Sequence, residues 1–174
     1  MQMRRAFSVA AGLALAAAGV VGLSAPASAA PFFATPATCS IQTVNTRNFL
    51  TAVGGGGRTS DVIHSDATVA RSWETFTLVD AGDGVHVGIR TLTGNFLTAV
   101  GGGGRTTDTI HSDATRLQAW EKFNVVRFGG DGFGIQTIDG HWVTAVGGGG
   151  RTSDVIHTDA TVVRSWELFF FNCR

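Results

Sequence analysis

TAVGGGGRTSDVIHSDATVARSWE, residues 51–74, decides the reading of this chain, because almost the same words begin again at Thr98 and at Thr144. The blocks FLTAVGGGGRTSDVIHSDATVARSWETF, FLTAVGGGGRTTDTIHSDATRLQAWEKF and WVTAVGGGGRTSDVIHTDATVVRSWELF align without a gap, and Trp73, Trp120 and Trp166 fall 47 and 46 residues apart. A fixed period of this size marks a repeat architecture, in which each copy buries its apolar face against its neighbours. Residues 51–70 and 144–163 differ at two of 20 positions, Ser65 against Thr158 and Ala70 against Val163. Stability alone does not obviously demand such identity in polar loop residues, and recent duplication explains it equally well.

Within each copy, short alternating runs separated by turn residues indicate strands rather than helices. The first repeat offers 41–44, 49–53, 61–64 and 73–79, the second 85–91, 96–100, 107–111 and 120–127, the third 133–138, 142–146, 153–157 and 166–171. Four strands taken three times give twelve, the number needed for a β-trefoil in which six strands close a barrel and three hairpins cap one end. A four-bladed propeller or a β-sandwich does not naturally repeat three times.

Outward from the repeats, Met1–Ala30 carries Arg4 and Arg5, an apolar run from Val9 to Leu23 and the small-residue stretch Ala27-Ser28-Ala29. This is the pattern of a secretory signal peptide cleaved near Ala29, leaving Ala30 as the mature start; the run is short for a membrane anchor. Arg4-Arg5 partly matches a twin-arginine signal. The expected organisation is a signal at 1–29, a linker at 30–38 and one domain at 39–174, divided into repeats 39–84, 85–132 and 133–174.

The whole chain holds 13 basic and 13 acidic residues, and loss of Arg4 and Arg5 leaves 11 against 13. A balance near −2 provides no basic footprint for nucleic acid or an anionic membrane, so neither is an expected partner, and a monomer is expected. The only cysteines, Cys39 and Cys173, flank the repeats. In an exported chain they are expected to form a disulfide, which brings the first and last strands together.

The glycine runs 54–57, 101–104 and 147–150 are not phosphate loops, since Arg-Thr follows instead of Lys-Ser/Thr and no helix begins there. They serve positive backbone φ, sharp turns and close approach. Two sets of residues remain as candidates for function. In the Trp-Glu strands, alternation places Trp73, Thr75 and Thr77 opposite Glu74, Phe76 and Leu78, and Trp120, Lys122 and Asn124 opposite Glu121, Phe123 and Val125. The phenylalanine side is the core, so the tryptophans face solvent, where a ring stacks on a sugar and the adjacent Glu74, Glu121 or Glu167 meets hydroxyls. Trp166 begins a strand apolar on both faces; the competing reading makes all three tryptophans seals of the hairpin cap.

The second set is Arg58, Asp61, His64 and Asp66, with Arg105, Asp108, His111, Asp113 and Arg151, Asp154, His157, Asp159 as its copies. These are expected to brace turns through Arg58–Asp61 pairing and Asp66 capping, with polar contacts of Asp61, His64, Asp108, His111, Asp154 and His157 to a glycan as the functional alternative. Asp61 and His64 are expected at opposite ends of a short strand. No nucleophile elbow, zinc motif or calcium loop is present, so neither a catalytic site, a metal nor a cofactor is expected.

FLTAVGGGG, the alanine-containing loop, WExF and the Gly-Ile-x-Thr-x-x-Gly-x-(Phe/Trp) lead-in to repeats two and three resemble the fascin-like β-trefoil family over Cys39–Cys173. The resemblance implies a secreted, lectin-like module with Trp and Glu of WExF as binding candidates and up to three equivalent glycan sites. Ricin-type lectins are set apart because their Gln-x-Trp pattern does not recur in the repeats: it occurs once, at Gln118-Ala119-Trp120, against Arg-Ser-Trp at 71–73 and 164–166. A structural or protein-interaction trefoil is the second reading, though export and a single lysine, Lys122, argue against an actin bundler. A protease inhibitor is third, because that role usually needs one distinctive loop.

Overall fold

A computed structural model describes residues 33–174. The expected signal segment and its cleavage point lie outside the described residues. Twelve strands form: β1 (Ala37–Thr43), β2 (Phe49–Ala52), β3 (Ile63–Ala67), β4 (Thr75–Asp80), β5 (Val87–Arg90), β6 (Phe96–Ala99), β7 (Ile110–Ala114), β8 (Lys122–Arg127), β9 (Phe133–Gln136), β10 (Trp142–Ala145), β11 (Ile156–Ala160) and β12 (Leu168–Cys173). Antiparallel pairing runs β1–β4–β5–β8–β9–β12 and returns from β12 to β1, closing a six-stranded barrel with no free edge. The hairpins β2–β3, β6–β7 and β10–β11 stand outside this ring, one per repeat. A closed barrel with three hairpins is a β-trefoil.

Alternation along the barrel strands puts Phe76, Phe123 and Phe169 inside, one from each repeat and all essentially without exposure. Truncation of any of them to alanine is expected to cost about 3–5 kcal/mol. Where barrel and cap meet, Ile63, Ile110 and Ile156 from the hairpins close around an apolar cavity of about 30 Å³ that Phe123 and Ile135 also line. Cys39 pairs with Cys173 across β1 and β12, and their sulfurs are bonded, joining positions 134 residues apart. β1 starts at Ala37, and before it the Phe33 ring packs 5.2 Å from both Phe133 and Phe171.

Two local differences from the expected strands matter for the site. The hairpin return strands begin later than expected, at Ile63, Ile110 and Ile156, and run beyond the histidines to Ala67, Ala114 and Ala160. The Trp-Glu pairs do not open strands: Ser72–Glu74, Ala119–Glu121 and Ser165–Glu167 are single 3-10 turns, and extended backbone starts at the next residue.

The glycine runs link neighbouring repeats. Gly57 N–H donates to Ser112 O at 2.7 Å and Ser112 N–H donates to Arg58 O at 2.8 Å. Gly104 and Arg105 hold Thr158 in the same way, and Gly150 and Arg151 hold Ser65, completing a ring. Ser65, Ser112 and Thr158 are fully buried, and each hydroxyl accepts from the arginine N–H across the seam at 3.1–3.3 Å. Each copy of the motif therefore grips the next copy. This supplies a physical reason for the near identity of their polar residues: the same surface acts as grip and as gripped. The third glycine of each run lies where no side chain fits, since a Cβ on Gly56 would stand 2.2 Å from Thr91 Oγ1 of the following repeat, at φ 109°.

Candidate functional site

Each tryptophan stands on its 3-10 turn with the indole exposed, Trp73 at 46%, Trp120 at 50% and Trp166 at 46%. No hydrogen bond engages an indole N–H of these three among the described residues. A buried glutamate immediately after the ring sets the turn. Glu74 Oε1 accepts from Thr51 Oγ1 at 2.8 Å and Oε2 from Arg71 N–H at 2.8 Å. Glu121 holds Thr98 Oγ1 and Gln118 N–H at 2.7 and 2.9 Å, and Glu167 holds Thr144 Oγ1 and Arg164 N–H, both at 2.8 Å.

The expected role of Glu74, Glu121 and Glu167 as contacts for hydroxyls near the strand mouth is therefore corrected. All three are buried, and both oxygens of each are used by the chain itself. The physical reason was present in the alternation, which put Glu74 on the same side as Phe76. What remained invisible was the partner Thr51, 23 residues upstream. A carboxylate so placed clamps the turn to the hairpin strand, and the clamp presents the indole.

The histidine–aspartate set lies at the hairpin end of the molecule. His64 Nε2 is 2.7 Å from Asp61 Oδ1, His111 is 2.6 Å from Asp108 and His157 is 2.7 Å from Asp154. The expectation that Asp61 and His64 sit apart fails because the strand begins at Ile63. Asp61, Asp108 and Asp154 precede it in left-handed backbone, with φ of 51°, 49° and 48°, which folds the carboxylate back toward the histidine. The other oxygen of each faces arginine, with Arg58, Arg105 and Arg151 at 3.4, 3.6 and 3.5 Å. Arg58–Asp61 pairing is thus present as expected. Asp66 lies within β3 and is exposed, its carbonyl accepting from Asn48 Nδ2 at 2.8 Å, rather than capping a turn after the strand.

The three Asp turns surround a depression of about 530 Å³ into which all repeats contribute equivalent residues, 59–63, 106–110 and 152–156. It marks the pseudo-threefold axis. Two departures from symmetry occur there: Thr107 replaces the serines at 60 and 153, and Thr109 replaces the valines at 62 and 155, its Oγ1 donating to Ile156 O at 2.7 Å. Among the described residues no three His, Cys, Asp or Glu side chains converge as metal ligands.

Sequence reasoning passed over the residues that surround the tryptophans, because they are the ones that differ between copies. A Cβ on Gly55 would lie 3.5 Å from both Trp73 and Leu92, and one on Gly148 would lie 3.4 Å from Trp166 and 3.1 Å from Asn45 Cγ. Gly102 faces the Asp139 carboxylate in the same manner, at 2.7 Å from Cγ. Trp73 and Trp166 therefore lie at seams, each with its own glycine run on one side and a turn of the next repeat on the other, and Trp120 holds the equivalent position in the second repeat.

With this geometry in view, comparison with solved structures gives one answer about fold. The Rhizoctonia solani agglutinin superposes with a TM-score of 0.67 at 15% identity, over 83% of this chain and 100% of that one. The BEL β-trefoil gives 0.62 at 10% identity, over 79% and 93%. The Polyporus squamosus lectin, bound to Neu5Aca2-6Galb1-4GlcNAc, gives 0.63 at 14% identity, over 80% of this chain and 49% of that one. The likeness is one of fold. No protein-family model and no curated protein matches the chain.

Proposed function

We propose that this is an exported, non-catalytic carbohydrate-binding protein of the fascin-like trefoil type, with one glycan site at each tryptophan. The observation that carries the reading is the exposure of three indoles on turns locked by buried Glu–Thr pairs. A solvent-facing aromatic ring normally costs a protein hydrophobic burial, and here the same exposure is built three times on a rigid base. A flat ring of this kind stacks on the apolar face of a pyranose, and three weak sites on one body gain avidity along a polymer. The lectin and agglutinin likenesses support the reading at the level of the scaffold, and the disulfide accords with an oxidising, extracellular location. Catalysis is not part of the proposal: the carboxylates of Asp61, Asp108 and Asp154 are taken by arginine and histidine within their own turns.

The Asp61–His64 pairs and their copies keep a secondary place as polar contacts around the axis, while Glu74, Glu121 and Glu167 act through the tryptophans. One observation favours a protein partner instead. Val69, Trp73 and Leu92 are 60%, 46% and 57% exposed in the first repeat, an apolar group that also suits a protein surface.

The test is a pull-down of the mature protein on β-glucan, chitin, cellulose and xylan beside Trp73→Ala, Trp120→Ala and Trp166→Ala, singly and combined. Stepwise loss of binding with an unchanged denaturation midpoint supports the reading. A wild type that binds none of the four polymers passes the argument to the protein-partner reading.

A further inference from the structure

We infer that the three tryptophan sites are chemically graded, and that the Trp120 site alone offers a carboxylate to a bound sugar, taking a neutral pyranose whose ring lies on the indole and whose vicinal hydroxyls are held by Asp139. The inference rests on the carbohydrate reading above and adds which site discriminates between sugars.

The grading follows from the seams. Every site borrows its second wall from the next repeat, and the borrowed turns are unlike. At Trp73 the wall is Leu92, and the loop residue preceding the indole turn is Val69, so the surroundings are apolar on both sides. At Trp166 the wall is Asn45, whose Nδ2 already donates to Ser165 Oγ at 3.4 Å, and Val162 takes the place of Val69. In the second repeat the copy of Gly55 and Gly148 is Gly102, which faces the Asp139 carboxylate; the turn Val100–Gly102 touches the turn Ala119–Glu121 that carries Trp120, so by the repeat symmetry Asp139 takes the place of the wall, and Arg116 stands where the other copies have valine.

Asp139 is exposed, and its carboxylate has no hydrogen-bond or ion-pair partner among the described residues. Its backbone is tied to the seam, since its N–H donates to Gly102 O at 3.3 Å, and the carboxylate lies against that glycine, where a side chain would displace it. An unpartnered carboxylate accepts two hydroxyl protons at once, and such charge-assisted bonds are the strong ones. The carboxylate repels an acidic sugar and accepts from the hydroxyls of a neutral one. The Trp73 site has only stacking and apolar contact to offer, so it adds affinity along a chain without reading its substituents.

The chain has four tryptophans, and Trp142 is partly buried edge-on to Phe128 with centroids 5.3 Å apart. Each exposed indole N–H therefore gives its own signal in an ¹⁵N spectrum, assigned by single Trp→Phe variants, with Trp142 as an internal control. The mature protein is titrated with cellohexaose, laminarihexaose, xylohexaose and chitohexaose. For at least one of them, the Trp120 signal is expected to saturate at a ligand concentration about tenfold or more below that of Trp73, the size of one hydrogen bond to a charged group. Asp139→Ala moves the Trp120 curve up to that of Trp73 and leaves Trp73 and Trp166 where they were; Asp139→Asn, which keeps one acceptor, falls between.

Trp120 and Trp73 titrating together, or an Asp139→Ala curve at Trp120 identical to wild type, overturns the grading while leaving the carbohydrate reading in place. No movement of any indole with any of the four sugars removes both.

Discussion

Replacing Glu74 by glutamine separates a clamp from a sugar contact. In the structure its carboxylate accepts one hydrogen bond from Thr51 Oγ1 and one from Arg71 N–H, both at 2.8 Å, in a buried setting. Glutamine retains one acceptor and turns an NH₂ toward the second donor, so one bond is lost and one donor is left facing another. Hydrogen bonds to a charged group contribute about 1.5–3 kcal/mol, and an unsatisfied buried donor adds about 1–3 kcal/mol, so a cost of about 3 kcal/mol is expected. With a urea slope of about 2 kcal/mol per molar, the midpoint falls by about 1.5 M. Thr51→Val in the Glu74→Gln background should then cost far less than in wild type, a coupling within the range of 0.5–3 kcal/mol for directly bonded pairs. The assay is urea denaturation of the four corners of this cycle, followed by binding to the polysaccharide that the wild type retains. A Glu74→Gln protein with an unshifted midpoint and abolished binding refutes the clamp and restores the glutamate as a ligand residue.

Three other outcomes follow from the same structure. Asp83 accepts from Lys122 Nζ at 2.9 Å and from the backbone N–H groups of His86 and Val85, at 2.9 and 3.1 Å; the lysine above all, then the His86 N–H, holds its carboxyl well below the usual range. Since the folded state depresses this group, its contribution is complete above the unfolded value of about 4 and is lost as pH falls below it, so the stability gap between wild type and Asp83→Asn should shrink between pH 6 and pH 3. Cys39→Ser with Cys173→Ser opens a loop closed across 134 residues and is expected to lower unfolding free energy by up to about 5 kcal/mol, read from the urea midpoint. Gly56→Ala should fail to fold or lose more than about 3 kcal/mol, because its Cβ would meet Thr91, whereas Gly57→Ala, with φ 79° and open space around it, should lose about 1–2 kcal/mol for its left-handed backbone alone.

The architecture was readable because one unit is written three times, and period, strand count and paired cysteines each restrict the closure. The exposed side of the tryptophans was readable too, from the alternation that sends Phe76 and Phe123 inward. The role of the glutamates was not, since a buried carboxylate makes sense only beside a donor, and Thr51 becomes that donor through the hairpin rather than through nearness in the chain. Asp61 was misplaced for a related reason. Nothing in Ser60-Asp61-Val62 separates an extended aspartate from a left-handed one, yet that single φ decides whether it reaches His64. Leu92, Asp139 and Asn45 escaped notice because comparison of repeats selects what is shared, while the seams are made distinctive by what is not.

The grip of Gly57 and Arg58 on Ser112, passed on to Thr158 and back to Ser65, has the form of a head-to-tail contact that closes after three steps. Such a contact does not depend on the covalent link between neighbours. The seam between the third repeat and the first, where the polypeptide is interrupted and a disulfide stands in its place, uses the same hydrogen bonds as the two seams the backbone crosses. The order of units along the chain is thus incidental to the assembled object. A circular permutant opened in the exposed turn at Gly82–Gly84, with its old termini joined across β12 and β1, should build the same ring from the same three pieces.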